Sequence, residues 1–98
     1  MMVFNAEIVR WFDKVNGNSY FAARGTLIRE GQDDVVFTLP FQYGYGSHPE
    51  WCLAEELKKH VDLPNQDIKA LSYLCRENGI RLILNDHGYG KKRDCKFD

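Results

Sequence analysis

Two short runs in this chain carry residue types that can hold an anion or stack on a ring. The first is FQYGYGSHPEW, Phe41 to Trp51. Gly44 and Gly46 alternate with Tyr43 and Tyr45, and Ser47-His48-Pro49-Glu50 follows with the pattern of a helix start. A glycine turn feeding a helix N-terminus can present backbone N–H groups to a phosphate, and the helix dipole favours negative charge there. The tyrosines could stack on a base. The run is not a Walker sequence, because no lysine follows the last glycine, and it lacks the third glycine of a dinucleotide fingerprint. The simpler use of Gly44 and Gly46 is to turn a strand into a capped helix, with Tyr43, Tyr45 and His48 left exposed for a partner. The second run is HGYGKKRDCK, His87 to Lys96. It repeats the Gly-Tyr-Gly triplet around Tyr89 and adds Lys91, Lys92, Arg93 and Lys96. Cations beside an aromatic ring suit phosphates and a stacked base, although Asp94 and Asp98 dilute the charge, a short basic run is a weak motif, and a solvated tail is the simpler reading.

Other chemistry finds less support. His48, His60, His87 and the cysteines Cys52, Cys75 and Cys95 are metal-ligand types, but none stands at C-x-x-C, H-x-x-x-H or H-E-x-x-H spacing, so no metal or other cofactor is expected. Ser47 beside His48 and Asp86 beside His87 are sequence neighbours, whose side chains diverge, and no G-x-S-x-G elbow is present. The carboxylate pairs Asp33-Asp34 and Glu55-Glu56 read as solvated. The expectation is a protein that is not an enzyme.

The elements that must position these residues follow from periodicity. Residues 3 to 13 alternate, with Phe4, Ala6, Ile8, Arg10 and Phe12 on one face and Val3, Asn5, Val9 and Trp11 on the other. This predicts a strand. Asn16-Gly17 signals a hairpin in which both residues accept positive φ, and Ser19 to Arg29 is the return strand, with Gly25 marking a bulge or a close backbone approach. Val35 to Tyr43 is a third strand with Val35, Phe37, Leu39, Phe41 and Tyr43 on one face, at an edge or bulged because of Pro40. Ser47 and Glu50 form a capping-box pattern before an amphipathic helix carrying Leu53, Leu57 and Val61. Asp67 to Asn78 is a second helix with Gly79 as its stop. Ile80 to Leu84 is a fourth strand, Asn85 to Gly90 a turn, and residues 91–98 a polar basic tail. The predicted fold is a single α+β domain, 1–98. A three-stranded antiparallel meander and a late fourth strand pack on two helices in the order β-β-β-α-α-β.

Composition bounds the partners. The 98 residues carry a formal net charge of −1, so no global field draws the chain to nucleic acid or an acidic membrane. Three widely separated cysteines fit a reducing cytoplasm. The N-terminus has neither the basic lead nor the long apolar run of a signal peptide, and no apolar stretch is long enough for a membrane span. Aromatic residues make up 13% of the chain and exceed what one buried sheet face needs. Two helices cover one face only, so Trp11 and its neighbours are expected either in a self-association interface, most simply a homodimer, or beneath the C-terminal tail.

Together, N-G-N-S-Y-F, P-F-Q-Y-G-Y-G, a tryptophan in the next helix, N-G-I-R-L-I-L and K-K-R-D-C resemble a loose group of small phage-encoded proteins. These share an N-G-N-[ST]-Y hairpin, a Y-G-Y-G turn and a late K-R-[DE] element. The resemblance spans most of the chain and implies a phage or prophage accessory protein acting in the bacterial cytoplasm on a host or defence component. It implies no catalytic role. The alternative expectation is a nucleic-acid or nucleotide binder using both Gly-Tyr-Gly runs.

Overall fold

A computed structural model describes residues 1–97. The strands are β1 (Met2–Asp13), β2 (Asn18–Arg29), β3 (Val35–Tyr43) and β4 (Ile80–Gly90), and the helices are α1 (His48–His60) and α2 (Leu71–Glu77). A single 3-10 turn, Lys92–Asp94, follows β4. The fold is α+β with one four-stranded sheet in the order β3-β2-β1-β4. The antiparallel meander forms as β1 pairs with β2 and β2 with β3. The fourth strand joins β1 in parallel, so the sheet is mixed. The connection explains this: the chain leaves β3 at one edge, crosses one face through α1 and α2, and returns beside β1 running in its direction.

Alternation in β1 sets the core. Phe4, Ala6 and Ile8 are fully buried and face Phe21, Leu27, Phe37, Leu53, Leu57, Leu71 and Leu74 in one apolar cluster. The close approach expected at Gly25 is present: a Cβ there would lie 2.5 Å from Phe4 Cζ. Gly25 thus makes room for the Phe4 ring, which stacks on Phe37 at 5.8 Å.

Several sequence expectations are corrected. In the first hairpin only Gly17 takes a positive φ, +71°. The loop closes around Asp13 instead, whose carboxylate accepts from the Val15 N–H at 3.0 Å and from Asn16 Nδ2 at 2.8 Å. Where β3 pairs with β2 the register slips between Phe21↔Gln42 and Ala23↔Leu39. Pro40, with no N–H to give the ladder, sits at this irregularity on an edge strand. The slip reverses the faces, so Phe41 and Tyr43 lie opposite Phe37 and Leu39 rather than beside them. Ser47 stands at the N-cap of α1, but its side chain makes no capping hydrogen bond. The second helix is shorter than predicted. A helix from Asp67 to Asn78 would be about 18 Å long and would carry Asn65 far from Asn78. Instead Asn78 Nδ2 donates to Asn65 O and the Asn65 N–H donates to Asn78 Oδ1, each at 2.9 Å. Residues 66–70 must therefore run back along α2 in non-helical form. The predicted turn Asn85 to Gly90 is the continuation of β4, which bulges where Ile8 and Arg10 of β1 face Asp86 and Tyr89. Gly88 absorbs that bulge with φ +71°.

The tail folds across the sheet face away from the helices. Cys95 is buried, its thiol 3.5 Å from Val9 O, and Ala22 beneath is fully buried. Lys92 Nζ sits 5.2 Å above the Trp11 ring and Arg24 lies over Phe97. Trp11 is therefore half-buried beneath the tail, the second of the two placements the sequence left open, and not in the open interface that was the first. Asp98, the last residue of the expected tail, lies outside the described residues.

Candidate functional site

Arg10 organises the end of the molecule that carries both Gly-Tyr-Gly triplets. It occupies the core phase of β1 and is only 8% exposed. A buried guanidinium needs an anion and further acceptors, and Arg10 has both. Nε donates to Asp86 Oδ1 and Oδ2 at 3.1 and 3.0 Å, and Nη2 donates to Asp86 Oδ2 at 2.8 Å and to Gly46 O at 2.9 Å. Asp86 Oδ1 also accepts the Gly88 N–H at 3.0 Å. One side chain thus ties Gly46 of the first triplet to the bulge that begins the second. The pairing shifts both groups. Asp86's hydrogen bonds push the Arg10 guanidinium above its ordinary range. Burial pushes the Asp86 carboxyl up, but the Arg10 and Gly88 hydrogen bonds outweigh it and hold the group below its ordinary value.

The first triplet builds a cleft. The Gly44 N–H donates to Ser19 O at 3.0 Å, closing the corner onto β2. A Cβ on Gly44 would stand 2.6 Å from Phe21 Cε1 and 2.6 Å from His48 Cδ2, so only glycine lets the chain turn this close to the core. The helix then leaves with Tyr43, Gly44, Tyr45, Ser47, His48 and Trp51 around an opening of about 440 Å³. Tyr43 and Tyr45 meet edge to face at 6.3 Å, and His48 lies 5.6 Å from Trp51. Tyr43, Tyr45 and Trp51 are 57%, 64% and 43% exposed. Two donors at the start of α1 are lost to an anion: the His48 N–H already donates to Tyr45 O at 3.1 Å, and Pro49 has no N–H.

Cys52 Sγ lies 3.3 Å from His48 Nε2, one helical turn away. The pair resembles a nucleophile beside a base, but burial first, then Glu55 and Glu56, push the Cys52 thiol up. An activated cysteine shifts the other way. Among the described residues, no three His, Cys, Asp or Glu side chains gather as a metal site.

The second triplet is arranged differently. Tyr89 OH lies 3.2 Å from Ser19 Oγ, and its ring meets Phe12 edge-on at 6.4 Å. The basic cluster is split. Lys92, Arg93 and Lys96 border a shallow opening of about 500 Å³ with Phe41 and Cys95, whereas Lys91 lines a small cavity of about 110 Å³ with Arg10, His87 and Gly88. An aromatic run joins the two regions. Tyr20 stacks on Phe41 at 5.0 Å and contacts Trp11 at 5.6 Å and Tyr43 at 6.0 Å.

Of the residues the sequence singles out at the first triplet, Tyr43, Gly44, Tyr45, Ser47 and His48 line the cleft, while Gly46 is not among its lining and gives its carbonyl to Arg10. The sequence reading does not single out Arg10 or Trp51. Both carried a signal. Arg10 is a charge in phase with Phe4, Ala6 and Ile8, which demands a buried acidic partner. Trp51 precedes Leu53 by two residues, roughly 200° around a helix, and so points away from the Leu53–Leu57 stripe. No family model, no curated protein and no solved structure matches the chain.

Proposed function

We propose that this chain is a non-enzymatic binding protein that associates with itself and takes hold of a host or defence protein through its aromatic corner. A phage or prophage origin rests on the sequence resemblance, and a bacterial cytoplasmic setting is supported by three free cysteines. One observation carries the binding reading: Tyr43, Tyr45 and Trp51 stand exposed around an open cleft while Gly44 and Arg10 fix the backbone beneath them. Aromatic anchors on a preorganised backbone lose little entropy on docking and dominate binding energies. The raised Cys52 thiol favours docking over covalent chemistry, and the bonded His48 N–H and the missing N–H of Pro49 favour it over phosphate capture. The test is capture of a partner from nuclease-treated host lysate. Tyr45→Ala and Trp51→Ala should each weaken capture by about 2 kcal/mol, roughly thirtyfold in affinity, with an unchanged melting temperature. Equal capture by both variants would remove the proposal.

A second reading, nucleic-acid binding, is favoured by Lys92, Arg93 and Lys96 bordering one opening with Phe41. It expects affinity to fall steeply with salt, and replacing those cations by Ala to flatten the slope by roughly one unit per lost phosphate contact. Binding through the aromatic corner expects little salt dependence.

A further inference from the structure

The two edges of the sheet are protected unequally. β3, at one edge, is blunted by Pro40 and a register slip, both common devices against strand pairing. β4, at the other, starts with Ile80-Arg81-Leu82-Ile83-Leu84-Asn85, paired with β1 in unbroken parallel register from Met2↔Ile80 to Glu7↔Asn85. This stretch has no proline and no bulge, and one charged residue. At the usual rise it presents about 20 Å of main chain with one side unpaired. Its side chains are also unfinished: Ile83 is 41% exposed on the open face, and Leu82 and Leu84 are only partly buried at the margin of the core. The tail covers the sheet near Val9 and Ala22, which leaves this end of the face bare, with Ile28 44% exposed.

We infer that β4 pairs antiparallel with β4 of a second copy, about a twofold axis at Ile83. This deepens, and rests on, the self-association in the proposed function. A strand edge is complementary to itself when antiparallel, so one patch serves both copies and the interface closes at two. Register follows from the requirement that opposing residues share a face. Centred on Ile83, that residue meets its own copy on the open face. Leu82 faces Leu84 on the core face, so each copy completes the other's core margin. Arg81 faces Asn85, which stands beside Glu7 in the sheet, so each arginine approaches a carboxylate and no like charges meet. Shifting by two residues one way drives the bulge after Asp86 into the pairing. Shifting the other way shortens it. The pairing continues the sheet, with each copy's aromatic corner left free.

The experiment measures the mass of the full chain by light scattering over a micromolar concentration series, with three variants. Wild type should be dimeric. Ile83→Lys sets two like charges face to face and should shift dissociation toward monomer by roughly tenfold or more. Ile83→Cys, in a Cys52→Ser background, should form a covalent dimer on mild oxidation, because opposing strand residues lie within disulfide reach. Val36→Cys, on the other edge and the same background, should not. If Ile83→Lys fails to fold, the two cysteine variants decide. A monomeric wild type overturns the inference, and so does a dimer unaffected by Ile83→Lys or one cross-linked at Val36. The outcomes separate the proposals. A monomer that still captures its partner through Tyr45 removes self-association alone. A dimer that survives Ile83→Lys removes only the β4 edge.

Discussion

The same triplet, Gly-Tyr-Gly, occurs at 44–46 and at 88–90, and the two copies do different work. At 44–46 the chain turns from an edge strand into a helix, Gly44 lies against Phe21, and Tyr45 projects into solvent beside a cleft. At 88–90 the chain stays in a strand, Gly88 takes up a bulge, and Tyr89 is held by Ser19 and Phe12. The glycines permit both outcomes. The flanking residues choose between them. Pro49 and an apolar helix stripe follow the first triplet, whereas an open sheet position beside β1 receives the second. Arg10 then couples the two through Gly46 O and Asp86.

That coupling gives the largest expected effect. Asp86→Ala would leave the Arg10 guanidinium, 8% exposed, without its anion. An unpaired buried charge costs several kcal/mol, and the partial exposure of Asp86 lets water offset some of that. A loss of about 3 kcal/mol is therefore expected in chemical denaturation. Arg10→Met, which removes the charge and fills the space, should cost less. If Asp86→Ala and Arg10→Met cost the same, the penalty does not come from a stranded charge.

The two triplets should also differ in their tolerance of a single methyl group. In Gly44→Ala the new Cβ would press on Phe21, which is fully buried and cannot yield, and on His48, which is exposed and can. Overpacking of this kind costs about 1–3 kcal/mol. In Gly90→Ala the Cβ meets nothing within 4 Å, and the change should stay within about 0.5 kcal/mol. Thermal melts of both variants check the contrast. Equal melting temperatures would mean that the first corner has slack the packing does not suggest.

Much of this end of the molecule was legible in the sequence, for local reasons. Alternation in residues 4 to 10 gave the buried face of β1, and Pro40 marked β3 as an edge or a bulge. Gly79 stops α2 as expected, with φ +69°. What was not legible depends on distant partners. The slip at Pro40 moves Phe41 and Tyr43 to the opposite face, and a two-residue period cannot register it. Asn85 to Gly90 reads as a turn by composition, yet β1 pairs with it through Gly90. Asn65 meets Asn78 only because the chain doubles back, so α2 starts later than its periodicity suggests. The tail's polar composition reads as solvated, and only the surplus of aromatics on the open face hints that it folds back, as Cys95 does over Val9 and Ala22. The cleft residues were found because a glycine corner and a helix start announce themselves over a few residues. Arg10, which holds the corner in place, acts across 76 positions of sequence, and no local pattern names its partner.

The smallest effect, and the sharpest test of whether the two corners act as one, lies in acid. Arg10 holds the Asp86 carboxyl below its ordinary value of 3.8. A folded-state pKa below the unfolded one means that the unfolded chain binds more protons as pH falls. The stability from this pair is therefore complete above the unfolded value and is lost as pH drops through the folded one. Glu7, lowered mainly by its hydrogen bond from Arg24, adds a second acid-labile contribution on the other face of the sheet. Asp86→Asn separates the two. Its melting temperature should lie below that of wild type at neutral pH, and the gap should close as pH falls below about 4, because wild type then loses what the variant lacks. The amide resonances of Gly46 and Gly88 report the coupling directly. Gly88 donates to Asp86 itself, and Gly46 carries the carbonyl that Arg10 holds. Both should shift with one midpoint in wild type, and neither in Asp86→Asn. A Gly88 resonance that titrates while Gly46 stays still would show that Arg10 keeps the first corner without help from the second, and the two triplets would then be neighbours rather than a unit.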